Sequence, residues 1–419
     1  MVNHRLRNVL NEFAYTITVI TAVFFMIERF IYPVLSILGL ILCYLLISTN
    51  GKFRCPAIVI IFISYGAVIL VQMIIEPSIF FNVKIATKEL SRLCTYTLVV
   101  LIAANTCIRE ERFLRIWRLV FVTSVVVAIL QFAKIESLNK MLIGIYGDSR
   151  VWDLAMRYST LGSFRAGSVF TNPNTYAKFI LAILAIFLAI DQRRTNSVIY
   201  ATVFSLIVAA SLLLTGSRTG SVIASLMVMG FYLRSAISRK GRFMVGELLM
   251  LVLLVLLGAM GIAIYHNIGA DGSGGVRALQ IVAGFGNSVA YKLETFRNMV
   301  DRFTATNILV GMGPFETDVK YLTLIDFDVG HLVTFYGAVG CVLYVCMLWD
   351  ICRYRRHLPA RYSYFNGLLA SILVLFGLTG GMFLHLRIFT IFAAMLYVGI
   401  VDEDFRPIQE GRSEGTAPF

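Results

Sequence analysis

The chain has 419 residues, of which 58% are hydrophobic and only 15% charged, and its mean hydropathy is +0.80. A soluble domain carries roughly 25% charged residues, and no water-soluble fold of this length hides so much apolar surface. The net charge of +13 would suit a nucleic-acid partner, but the placement of the basic residues explains it without one.

A helix needs about 20 mostly apolar residues to cross the hydrocarbon core. In chain order, runs of that kind are expected at 13–28, 30–48, 56–75, 93–108, 113–133, 169–190, 198–214, 220–233, 244–264, 330–351, 365–383 and 387–401. They predict an all-α fold, a polytopic transmembrane helical bundle of about twelve spans forming a single integral membrane domain over 1–419. The runs are continuously apolar, whereas barrel strands alternate, so helices rather than a barrel follow.

Short basic loops stay in the cytoplasm. Arg5 and Arg7; Lys52 and Arg54; Arg109 and Arg112; Arg193 and Arg194; Arg234, Arg239, Lys240 and Arg242; and Arg353, Arg355, Arg356 and Arg361 all fall on one side of a twelve-span arrangement. This puts both termini, including the tail 402–419, in the cytoplasm. The first run lacks a small-residue cleavage site and reads as an uncleaved anchor. All seven cysteines lie in expected spans or at their cytoplasmic edges, so no disulfide is expected in the outward loops. There is no zinc-type spacing, no phosphate-binding glycine loop and no tandem repeat.

Two outward segments are long, at 134–168 and 265–329, and function is expected there. The second reads as a helix over 288–303, with Val289, Leu293, Phe296, Val300 and Phe303 on one face. Leu138, Met141, Leu142 and Ile145 form a shorter amphipathic piece in the first. Arginines on the outward side are the informative residues, since few are expected there: Arg165, Arg218 in the turn 215–219, Arg297 on the outer helix, and Arg387 after His385. A guanidinium presents a planar fork to phosphate oxygens. An arginine at a helix end also serves as a snorkelling anchor, and Arg297 is spaced to pair with Glu294 and Asp301.

Three stretches together resemble the bacterial O-antigen polymerase and O-antigen ligase superfamily. They are Arg165-Ala-Gly-Ser-Val-Phe-Thr-Asn-Pro-Asn174; Leu213-Leu-Thr-Gly-Ser-Arg-Thr-Gly220, with Thr219 before the glycine; and the run from Arg297 through Leu309-Val-Gly-Met-Gly-Pro314 to Gly337-Ala-Val-Gly340. The likeness covers about 160–345. It implies a membrane-embedded glycosyltransferase of the GT-C-like kind in the bacterial inner membrane. Such an enzyme moves a glycan from an undecaprenyl-pyrophosphate donor to an acceptor on the periplasmic face, with no cofactor and no metal, and 265–329 would be its catalytic loop. It also implies a flippase and a chain-length regulator as partners, besides the surrounding lipids.

Where the ligase pattern has histidine, this chain has Asp326, followed by Phe327. Asp326 favours a polymerase of lipid-linked repeat units, with ligation to the lipid A core as the alternative. His331 rivals Asp326 as base, because its unperturbed pKa, about 6.5 against about 3.9, is better matched to neutral pH. Arg218 and Arg297 would clamp the pyrophosphate. Arg165, Asn172, Asn174 and Arg387 would position sugar or lipid, although Asn172, Pro173 and Asn174 also make a good turn into a helix. Asp328 reads as a loop carboxylate or a helix N-cap. A twelve-helix transporter or flippase stands as a third reading; it would need ionisable residues near mid-membrane. Lys178, well inside the sixth expected span, is the exception to a pattern of charges at the edges.

Overall fold

The computed structural model describes residues 4–26, 30–48, 53–75, 83–133, 135–146, 166–170, 172–191, 198–215, 217–238, 294, 296–298, 300–301, 303–313, 328–355, 358–383 and 385–401. Most of the two long outward segments, the expected span 244–264 and the tail 402–419 lie outside them.

The helices are α1 His4–Ile20, α2 Ile31–Ser48, α3 Ala57–Ile75, α4 Val83–Ala104, α5 Glu110–Phe132, α6 Glu136–Tyr146, α7 Pro173–Ile186, α8 Val198–Thr215, α9 Arg218–Ser238, α10 Ala305–Val310, α11 Asp328–Arg355, α12 Ala360–Gly380 and α13 Leu386–Leu396. Among the described residues, five stretches are helical, long and apolar enough to cross a membrane: Ile31–Ser48, Ala57–Ile74, Glu110–Phe132, Pro173–Ile190 and Asp328–Tyr354. The chain is a helical membrane protein.

Three of the boundaries that differ from the sequence expectation change the reading. α1 begins at His4 instead of 13, because its first turns are polar and escape a hydropathy reading. α4 begins at Val83 instead of 93, so Lys84, Lys88, Glu89 and Arg92 are helical. After α13 the chain becomes extended, and Gly399–Val401 pairs in parallel with Cys107–Arg109, with Cys107 opposite Gly399. This short pair of strands is the one departure from an all-α architecture among the described residues.

Lipid is as apolar as leucine, so close packing and interhelical hydrogen bonds hold helices together, each bond contributing about 0.6 kcal/mol and at most about 1.7. Buried tyrosines supply several. The Tyr15 hydroxyl donates to the Ala394 carbonyl at 3.3 Å, Tyr65 to Gly340 at 2.7 Å and Tyr96 to Phe383 at 2.6 Å. α7 is the central helix, since every residue from Thr175 to Ile190 is buried. α13 is likewise buried from Arg387 to Leu396, whereas large exposed apolar side chains line other helices, among them Leu40 and Ile47 on α2 and Ile60 and Ile74 on α3, as a lipid-facing surface requires.

The contacts sort the helix ends into two groups. One end gathers the starts of α4, α7, α11 and α13 with the close of α12. The opposite end gathers the strand pair, the start of α5 and the last turns of α11, where Asp350 accepts from Ile58 N and the Tyr397 hydroxyl.

Candidate functional site

The first group of ends is organised by the turn from Gly381 to Arg387, between α12 and α13. Asp328 opens α11 and is fully buried. Its carboxylate accepts from Met382 N at 2.8 Å with both oxygens and from Phe383 N at 3.0 Å. It is therefore not a solvated loop residue. It satisfies backbone donors that burial would otherwise strand.

Lys178, in the second turn of α7, is also buried, donates to the Gly381 carbonyl and sits 5.3 Å from the centroid of the Phe376 ring. Arg387 donates to the Val169 carbonyl and lies 5.5 Å from the Phe170 ring. From α4, Arg92 pairs with Glu89 and stands 5.3 Å from the Phe383 ring. The Tyr336 hydroxyl donates to Glu89 at 3.4 Å. Three cations and two carboxylates, all buried, thus converge on one turn. His385 stands among them. Burial, followed by the charges of Lys178 and Arg92, pushes its pKa down to about 3, so its imidazole is neutral at neutral pH.

His331 is buried one turn into α11, its ring 3.8 Å from that of Phe335. Among the described residues its Nε2 has no hydrogen-bond partner. The charge of Arg92 reaches it. A buried polar atom left with no partner at all costs about 1–3 kcal/mol.

The three family-like stretches meet around this cluster. Ala166 N donates to the Leu214 carbonyl at 2.8 Å, joining the first to the second. Gly220 packs against α7, where an added Cβ would meet that of Ala177 at 3.0 Å. Within the first stretch Ser168 takes a left-handed backbone, φ 52°, which costs about 1 kcal/mol or more. Gln131 compensates by bonding both its N–H, at 2.8 Å, and its carbonyl, at 3.1 Å. In the third stretch, Gly311 and Gly337, both at positive φ, bring two backbones into contact; a Cβ on Gly337 would lie 2.5 Å from Gly311 N. Met312 N donates to the Thr334 carbonyl across that crossing at 2.8 Å. Gln72 of α3 ties it down through the carbonyls of Val310 and Phe335.

The expected site residues fare differently. Asp326 and Arg165 lie outside the described residues. Arg218 opens α9, but its side chain is not among those described. Arg297 is helical and exposed; Glu294 and Asp301 are exposed beside it, and among the described residues none of the three forms an ion pair with another. Arg297 and buried Arg387 therefore do not occupy equivalent environments. Phe296, Val300 and Phe303 are half-buried, as the amphipathic face requires. Asn172 caps α7, its Oδ1 accepting from Asn174 N at 2.8 Å and Thr175 N at 3.4 Å, with Pro173 at the first helical position. The Asn174 side chain is exposed.

Glu89 and Arg92 were missed because α4 was expected to begin at 93. The available signal was a Glu and an Arg three residues apart in a basic stretch on the side where few basic residues are expected. Among the described residues, no three His, Cys, Asp or Glu side chains are grouped to hold a metal. No protein-family model matches the chain, and no curated protein matches it either.

Proposed function

We propose that this chain is a membrane glycosyltransferase that polymerises polyprenyl-pyrophosphate-linked oligosaccharide repeat units at the end of the bundle where α4, α7, α11 and α13 begin. The observation that carries this reading is that the described parts of three sequence-distant stretches, 166–174 without 171, 213–220 without 216, and 309–313 with 328–340, border one buried ionisable cluster. Chemistry on a large lipid-linked substrate needs a rigid scaffold below the loops that receive it.

In the reaction, an acceptor hydroxyl attacks the anomeric carbon of the donor glycan. The carbon–oxygen bond to pyrophosphate breaks, and the pyrophosphate departs on its polyprenyl carrier. Arg218 and Arg297 stabilise the departing charge, where electrostatic help counts most. Asp326 or His331 takes the proton. Among the described residues the Nε2 of His331 has no hydrogen-bond partner, which favours the histidine, since that nitrogen can accept a proton in the tautomer that leaves it unprotonated. Ligation to a lipid A core would use the same steps with another acceptor, in the inner membrane of a bacterium.

One observation favours a different class. Lys178, Glu89 and Arg92 are ionisable groups buried within helices, a feature of ion-coupled transporters.

The test is complementation of a polymerase-deficient bacterium that supplies the matching repeat unit, at equal membrane expression of wild type, Arg218→Ala, Arg297→Ala, Asp326→Ala and His331→Ala. A polysaccharide ladder that collapses to single repeats in the arginine variants supports polymerisation. Loss in only one of the last two variants assigns the base. Attachment of preformed chains in a ligase-deficient host would move the reading to ligation. Failure of wild type in both hosts overturns it in favour of transport.

A further inference from the structure

At the opposite end of the bundle, a cavity of about 220 Å³ opens between the start of α3, the close of α4 and the last turns of α11, lined by Arg54, Cys55, Pro56, Ala104, Asp350, Arg353 and Tyr354. One water takes about 30 Å³ in the liquid, so the space admits a polyatomic anion. We propose that this cavity binds a phosphate ester, held between the guanidinium groups of Arg54 and Arg353. The source is an anionic lipid headgroup or a free phosphate ester. The site lies apart from the proposed glycosyl-transfer centre and does not depend on it.

Three features set this pair apart from arginines that merely mark a membrane boundary. First, Arg54 is fixed in place. Its N–H donates to the Asn105 side-chain oxygen at 2.6 Å, and its carbonyl accepts from the Asn105 amide nitrogen at 2.7 Å. Asn105 is itself anchored to the Leu101 carbonyl at 2.8 Å. Both backbone groups of an exposed residue are thus clamped by one side chain, which fixes the point from which the Arg54 side chain leaves the backbone beside the cavity.

Second, the carboxylate in the lining is already engaged. Asp350 Oδ2 accepts from Ile58 N at 3.3 Å, at the start of α3, and from the Tyr397 hydroxyl at 2.9 Å. Neither Arg54 nor Arg353 forms an ion pair among the described residues, whereas nearby Arg109 and Arg112 share Glu12 at 2.8 and 3.6 Å. Two arginines without an ion pair among the described residues therefore line a space with one committed carboxylate.

Third, the ligand chemistry suits the location. Guanidinium forks match phosphate oxygens, and basic pockets between helices at the positively charged membrane boundary recognise anionic headgroups. α3 and α11 present exposed apolar side chains such as Ile60, Ile63 and Trp349, a surface along which acyl chains can lie.

The full chain is reconstituted in phosphatidylcholine nanodiscs with phosphatidylglycerol as probe, and retained lipid is counted by native mass spectrometry. The variants are Arg54→Gln, Arg353→Gln, the double substitution, and Arg115→Gln as a control with an exposed guanidinium elsewhere at this end. Wild type should retain phosphatidylglycerol about tenfold over phosphatidylcholine. Each single variant should lose part of that preference, the double variant all of it, and Arg115→Gln none. A parallel arm adds glycerol 3-phosphate. Displacement of the lipid at millimolar concentration shows that the phosphate ester alone suffices, and its failure assigns the site to lipid. Equal retention by wild type and the double variant, equal loss in Arg115→Gln, or no preference in wild type overturns the proposal. All three side chains are exposed, so folding is checked by the unfolding midpoint, which should not move.

Discussion

The two ends of the bundle differ in how much of their charge is buried, above all in where the cations sit. Around the Gly381–Arg387 turn, ionisable side chains are buried and tied to backbone: Asp328 to Met382 and Phe383, Lys178 to Gly381, Arg387 to Val169. At the other end Arg109 and Arg112, both exposed, share the half-buried Glu12, and exposed Arg54 and Arg353 form no ion pair among the described residues, while Glu110 is buried and accepts from the Tyr362 hydroxyl and Asp350 accepts from Ile58 N. A buried charge is costly unless fully partnered, so the first end is rigid by necessity. Charge pairs with an exposed partner are screened by water and salt, so the arginine pairs of the second end hold their geometry less tightly. Commitment of charge to backbone marks a place where shape must not change.

Substitutions should expose this asymmetry. Glu89→Ala leaves Arg92 in a buried setting without its carboxylate and should cost the most, about 3–5 kcal/mol, read as a large fall in the unfolding midpoint in detergent. Gly337→Ala comes next. A Cβ would meet Gly311 N at 2.5 Å and the Leu309 carbonyl at 2.6 Å on a backbone with φ 61°, for a loss of about 3 kcal/mol. Asp328→Asn keeps one acceptor oxygen for the two N–H donors and loses the charge, at about 1.5–3 kcal/mol.

A smaller effect is carried by pH. His385 titrates near 3 when folded and near 6.5 when unfolded. The unfolded chain therefore binds the proton first, and stability falls as pH drops from about 6.5 toward 3. His385→Gln should flatten that part of the midpoint-versus-pH curve. Arg109→Gln, at the exposed end, should cost only about 0.5 kcal/mol, less still in high salt. A loss there as large as that of Glu89→Ala would erase the contrast between the ends.

Much of this was legible in the residues. The capping turn Asn172-Pro173-Asn174 was readable because cap chemistry is local, and the Gly-Met-Gly stretch stood out before its close backbone crossing was seen. The apolar face Phe296, Val300, Phe303 followed from helical spacing. The role of Asp328 was not legible, because its partners Met382 and Phe383 lie more than fifty residues away. Arg92 was hidden for a related reason. A hydropathy reading assigns a charged helix end to a loop, whereas burial against Glu89 and Phe383 keeps it helical.

The amino-acid sequence by itself determined that this is a helical membrane protein, approximately where most of its helices run, and which short stretches break the pattern. Those properties depend on composition and on neighbours within a turn or two, since each helix satisfies its own backbone. Only the tertiary structure decided which charges are buried, which pair, and that the turn between α12 and α13 is the hub of one end. Those outcomes depend on which helix ends meet, and local spacing carries no record of that.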